Sequence, residues 1–148
     1  MYPGGHPNIL VLTKADPNEH VGEFHRKFDL CIQPSAAESW GMVPLECLSV
    51  GVPVIMSRCG GHSEWSGNLL GERTFPSRGL VTCEECPGAR WENIFAEDIL
   101  ELLKLACSGK ALREWQIAQA KIAPRVQQAY SWEAATSAFT RTYILKGA

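Results

Sequence analysis

The chain has 148 residues, 45% of them apolar, and a formal net charge of −2, which is enough for one domain whose core folds alone. That charge supplies no basic field to draw nucleic acid or an anionic membrane. No run approaches the roughly 20 apolar residues needed to span a bilayer.

The opening MYPGGHPN has neither a basic n-region nor an apolar h-region, so no secretory signal is expected there. Residues 1–7 read as a flexible arm and 8–148 as a single domain. Six cysteines without a signal point to reduced thiols in the cytoplasm or another reducing compartment. Cys31, Cys47 and Cys107 lie in apolar runs and read as small core residues.

In chain order, NILVLT (8–13) is a β-branched apolar run and reads as a strand. Turn chemistry at Asp16 to Asn18 leads into a short helix with Val21, Phe24 and Phe28 on one face. DLCIQ (29–33) reads as the second strand, ended by Pro34. GMVPLECLSVG (41–51) reads as a helix with Pro44 in its first turn, where no intrahelical bond is lost, and Gly51 as its C-terminal cap. VPVIM (52–56) is a third strand, HSEWSGNLL a short helix and turn, and RGLVTC (78–83) a fourth strand. From 96 the pattern is helical: AEDILELLKLACSG, then a second helix interrupted near Pro124, then a last one with Ser131 as N-cap. Strands alternating with helices, nearly continuous in hydrophobicity, imply a parallel sheet covered on both faces.

The stretch PSAAESWGMVPLECLSVGVPVI places Glu38 and Glu46 on either side of Gly41, around the start of the helix at 41. In a parallel α/β sheet, ligands bind beyond the carboxyl ends of the strands. A helix start there offers free N–H groups and partial positive charge to a phosphate, and a glycine lets a ligand approach the backbone. Two carboxylates along such a site suit two polyols with a diphosphate between them, the outline of a nucleotide sugar. The alternative is a solvated loop glutamate and a surface helix glutamate.

The stretch DLCIQPSAAESWGMVPLECLSVGVPVIMSRCGGHSEW resembles the donor-binding signature of GT-B glycosyltransferases of the large retaining family 4, also called glycosyltransferase group 1. The resemblance extends over roughly residues 8–145. It implies a truncated Rossmann-like domain: about four parallel strands covered by helices, with a helical C-terminal tail, forming part of the C-terminal half of a GT-B enzyme. By resemblance, Glu38 contacts the transferred sugar as the catalytic-site carboxylate. Ser39, Trp40 and Gly41 offer N–H groups to the diphosphate, Glu46 holds the ribose hydroxyls, and Gly60, Gly61 and Glu64 match the following Gly-Gly and Glu. Such enzymes use no metal cofactor, because the helix start and basic side chains stabilise the departing nucleoside diphosphate. The nucleotide sugar is the substrate.

The resemblance also implies missing parts. The acceptor-binding half and the opening of the donor half, with its Arg and Lys, have no counterpart here, leaving Lys14 and Arg58 as basic candidates or as ordinary solvent-facing side chains. The expected function is the nucleotide-sugar half of a retaining glycosyltransferase, completed by an acceptor half elsewhere. The alternative is a non-catalytic remnant serving as a structural subunit. Without two preceding strands, the first strand must pair with DLCIQ or find strands elsewhere, so a partner chain or self-association is expected.

Two further pairs, Cys59 with His62 and Cys83 with Cys86, have spacings that could hold zinc if the sheet brings them together. Free thiols and a solvent-facing loop histidine are the alternative.

Overall fold

The computed structural model describes residues 8–9, 20–69, 73–84 and 86–144. The strand expected over 8–13 lies outside them apart from Asn8 and Ile9, as do the arm at 1–7 and Lys14.

Three parallel strands carry the fold: β1 (Cys31–Gln33), β2 (Val54–Ser57) and β3 (Thr74–Phe75), in the order β1-β2-β3. Cys31 pairs with Val54 and Gln33 with Met56, while Met56 pairs in turn with Thr74. The crossovers are helical: α2 (Met42–Ser49) joins β1 to β2 and α3 (His62–Leu69) follows β2. Parallel pairing requires such long returns.

All four residues of β2 are buried, and their alternation divides the core. Val54 and Met56 pack with Leu45 and Leu48 of α2 and with Trp65 of α3. Ile55 points the other way, into a cluster with Phe75, Ala106, Ala111 and Trp115. The last three belong to α4 (Ala96–Cys107) and α5 (Lys110–Ala129). Both faces of the sheet are therefore covered, as the continuous hydrophobicity of 52–57 requires. Each such side chain contributes about 1.5–3 kcal/mol through burial.

α5 also completes α2. The last carbonyls of a helix have no partner within it. Gln119 donates to Leu48 O at 3.2 Å and Gln127 to Ser49 O at 2.7 Å. Gln119 is fully buried and its amide oxygen accepts from Arg73 at 3.1 Å. Gly51, at φ 88°, turns the chain out of α2 toward β2.

Four expectations are corrected. The fourth strand is not part of the parallel sheet. β4 (Leu80–Thr82) pairs antiparallel with β5 (Arg90–Glu92) as a separate two-stranded ribbon. The reason is the short connection through Pro87 and Gly88, which permits a hairpin but not a parallel crossover. The parallel strand after α3 is instead the two-residue β3, too short to show a period.

Pro124 does not interrupt α5, which runs unbroken over 20 residues. Pro124 and Ala120, whose carbonyl loses its partner, both lie on the solvent face. Ala111, Trp115, Gln119, Ala123 and Val126 keep the buried stripe intact.

The first helix, α1 (Val21–His25), does not bury the apolar face expected of it. Val21 is 51% and Phe28 43% exposed, and the buried member is His25. Finally, Cys107 is exposed rather than in the core.

Ser131 does cap α6 (Trp132–Phe139), accepting from Ala134 N–H at 3.1 Å. A π-helical turn, Thr140–Ile144, extends it. No described helix is long and apolar enough to cross a membrane.

Candidate functional site

The carboxyl ends of β1 and β2 lead into two loops, 34–41 and 58–61, that lie backbone against backbone. Gly61 N–H donates to Glu38 O at 2.9 Å. The Ser57 hydroxyl and the Cys59 thiol both donate to Ser35 O, at 2.5 and 3.0 Å. Trp65 Nε1–H donates to Trp40 O at 2.9 Å. The carbonyls of residues 35, 38 and 40 are thus drawn into the protein.

The amides of Ser39 and Trp40 are left for another acceptor, and the Glu38 carboxylate takes it up. Its Oε1 accepts from Ser39 N–H at 3.0 Å and Trp40 N–H at 3.5 Å. A negatively charged oxygen therefore sits on two adjacent backbone donors just before α2 begins. Such successive amides form a concavity suited to anions.

The glycines make this packing possible. Gly41 has φ 87°, and a Cβ there would lie 2.3 Å from the His62 ring. A Cβ on Gly60 would meet Glu38 O, and one on Gly61 would meet Ser39 O, each at 2.1 Å. In the structure the Gly-Gly pair is what lets the two loops touch.

His62 is wholly buried. Its Nδ1–H donates to Ser57 O at 3.1 Å, which leaves Nε2 as a bare acceptor with no hydrogen-bond partner. Burial pushes its pKa below the usual histidine value, opposed by the Ser57 carbonyl and the charge of Glu38. The ring lies against Gly41.

Glu46 sits in the second turn of α2. His25 Nε2–H donates to its Oε2 at 3.1 Å, and Cys47 Sγ lies 3.4 Å from His25 Nδ1. The Cys47 thiol is held well above the usual thiol range by its hydrogen bond with Cys31 and by burial, and the same bond lowers Cys31. A chain of polar groups thus runs from β1 through the core to Glu46. The Glu46 side chain remains 36% exposed and opens into a cavity of about 900 Å³ between α2, α5 and α6. Trp40, Leu45, Gln127, Tyr130 and Trp132 line it as well. The Trp40 and Tyr130 rings meet edge to face at 6.3 Å.

The structure therefore gathers Glu38, Ser39, Trp40, Gly41, Gly60, Gly61 and His62 at the paired loops, and Trp40 and Glu46 at the adjoining cavity. Arg58 is exposed and its guanidinium lies over Gly67 of α3. Glu64 is exposed on the first turn of α3. Cys59 and His62 touch, with Sγ 3.7 Å from Nδ1, while Cys83 and Cys86 lie on the ribbon. Among the described residues no three of His, Cys, Asp and Glu gather at metal-holding distance. The residues that sequence reasoning missed are His25, Tyr130 and Gln127. Their only signal was a histidine where an apolar helix face was expected.

The described residues thus form a parallel α/β unit with a carboxylate oxygen held on loop amides at its strand ends and a glutamate beside a cavity. Residues 5–70, a segment that carries the loop and Glu46, match the family model for glycosyl transferases group 1. A D-inositol 3-phosphate glycosyltransferase of Corynebacterium urealyticum is 27% identical over 129 residues, which is 87% of this chain and 26% of that protein. One from Acidothermus cellulolyticus is 35% identical over 57 residues, 38% of this chain and 13% of that protein. The chain thus spans about a quarter or less of these relatives. No solved structure gives a significant match.

Proposed function

We propose that the chain is the nucleotide-sugar-binding half of a retaining glycosyltransferase, transferring a hexosyl group from a nucleoside diphosphate sugar to an acceptor bound by another half. The observation that carries this reading is the carboxylate oxygen seated on the Ser39 and Trp40 amides at the head of α2. A diphosphate oxygen suits the same donors. Its arrival requires Glu38 to swing off, which frees that carboxylate to receive the hydroxyls of the transferred sugar. Glu46, fixed by His25 through one oxygen, keeps the other for ribose hydroxyls in the adjoining cavity. As the glycosidic bond breaks, charge grows on the departing diphosphate, and fixed amides at a helix start stabilise it without reorganising. The free thiols fit a reducing compartment.

Calorimetric titration with UDP-, GDP- and ADP-sugars tests this. One nucleotide class is expected to bind, and Glu38→Ala combined with Glu46→Ala is expected to abolish it. Each charged hydrogen bond contributes about 1.5–3 kcal/mol, so the double variant should bind at least about a hundredfold more weakly. Equal binding by the double variant would overturn the site.

A second reading is favoured by a different observation. Trp132 is 86%, Phe139 57% and Tyr143 71% exposed, an aromatic surface on α6 and its extension that suits an interaction subunit. A folded chain that binds no nucleotide sugar but is retained by a partner would support that reading.

A further inference from the structure

The β4–β5 ribbon carries a pair of cysteines that the proposed transfer does not use. Cys83 follows β4 and is buried, while Cys86 is exposed at the turn. The turn is closed by Cys83 N–H to Ala89 O at 3.1 Å and Ala89 N–H to Cys86 O at 2.9 Å. Within it, Cys86 N–H donates to Cys83 Sγ at 3.2 Å. The neighbouring Cys83 thiol pushes the Cys86 pKa above the usual thiol value. The reduced hairpin thus already folds the Cys86 backbone onto the Cys83 sulfur.

A disulfide between the two cysteines, about 2.05 Å long, would close across this turn. Glu84, Pro87 and Gly88 there are exposed, and nothing lies within 4 Å of a Cβ placed on Gly88. A tetrahedral metal needs further ligands, and among the described residues no third one joins the pair. Thiol–disulfide chemistry is what the geometry favours.

We propose that Cys83 and Cys86 are a redox-active dithiol that exchanges reversibly with low-molecular-weight disulfides of the glutathione class. The exposed Cys86 thiolate attacks one sulfur of the small disulfide. A mixed disulfide forms on Cys86, and the first small thiolate leaves and takes up the proton Cys86 gave. The Cys83 thiolate, beside the Cys86 amide, then attacks the Cys86 sulfur and expels the second small thiolate, which is protonated in turn. The protein loses two electrons and two protons, and the small disulfide becomes two thiols.

The test equilibrates the full chain in graded mixtures of reduced and oxidised glutathione, quenches with acid, alkylates and digests with trypsin. Cleavage after Arg78 and Arg90 isolates both cysteines in peptide 79–90. The expected result is a peptide lighter by two hydrogens, without alkyl groups, that rises in one transition and reverts on reduction. Cys83→Ser is expected to accumulate one glutathione on Cys86 instead. Cys86→Ser, at an exposed position, is expected to slow reaction of the peptide about tenfold or more, because the remaining thiol is buried. Two alkyl groups at the most oxidising ratio, or two glutathiones on one peptide, would overturn the proposal. So would a Cys86→Ser variant that reacts as fast as wild type.

Discussion

Glu46 shows how one residue's surroundings set its role. Its carboxylate is held by His25, which faces Cys47 through its other nitrogen. His25→Ala leaves Glu46 and a buried thiol without that partner, so a stability loss of about 1–3 kcal/mol is expected. Urea unfolding measures it, and His25→Gln, which keeps an N–H toward Glu46, should recover part. Gly41→Ala meets two obstacles at once, a positive φ and the His62 ring at 2.3 Å. A loss of at least about 1–3 kcal/mol is expected, read in the same way.

His62 also sets a pH dependence. Its pKa is depressed by burial in the folded chain from the ordinary histidine value of 6.5. The unfolded chain therefore binds the proton more readily. The contribution is complete above pH 6.5 and is lost as pH falls through the lower folded value. The urea midpoint should drop on acidification below that point, and the drop should be smaller in His62→Gln.

Much of this site was legible in the sequence, because Glu38, Gly41, Gly60, Gly61 and Glu46 stand in an ordered pattern. What escaped was long-range pairing. Nothing around His25 announces a glutamate 21 positions on, and nothing in the Gly-Gly pair says that its neighbour is the Glu38 backbone rather than a ligand.

At the scale of elements, the helices and the two longer parallel strands were readable, since apolar spacing and caps such as Ser131 are local signals. β3 was not, because two residues carry no period. The strand at 80–82 was read as parallel because its composition resembles a buried strand, while the Pro87-Gly88 turn that decides its pairing lies beyond it. Pro124 was over-read: a proline inside a helix costs about 3 kcal/mol or more where its bond is needed, and here the helix continues with Pro124 on its solvent face. Pro124→Ala should therefore stabilise the chain. The gain should be about 1–3 kcal/mol, the restored helix preference less the entropy that alanine returns to the unfolded chain. A higher urea midpoint with unchanged slope would confirm it. In the other direction, Gln119→Leu strips Leu48 O and Arg73 of a buried partner and should cost about 1–3 kcal/mol.

At the scale of the whole molecule, the fold is a sheet of three described parallel strands with a core on each face, plus a ribbon to one side. One main-chain bond joins that ribbon to the site: Glu92 N–H donates to Ala36 O at 2.8 Å. Because both partners are backbone atoms, side-chain replacement at either position leaves the tether in place, and only proline at 92 deletes the donor. The Glu92 amide is therefore a built-in reporter. A ligand that tightens the 34–41 loop should slow its exchange with solvent deuterium, while a ligand bound elsewhere should leave it unchanged, so occupancy of the loop can be read from a residue that never touches the ligand.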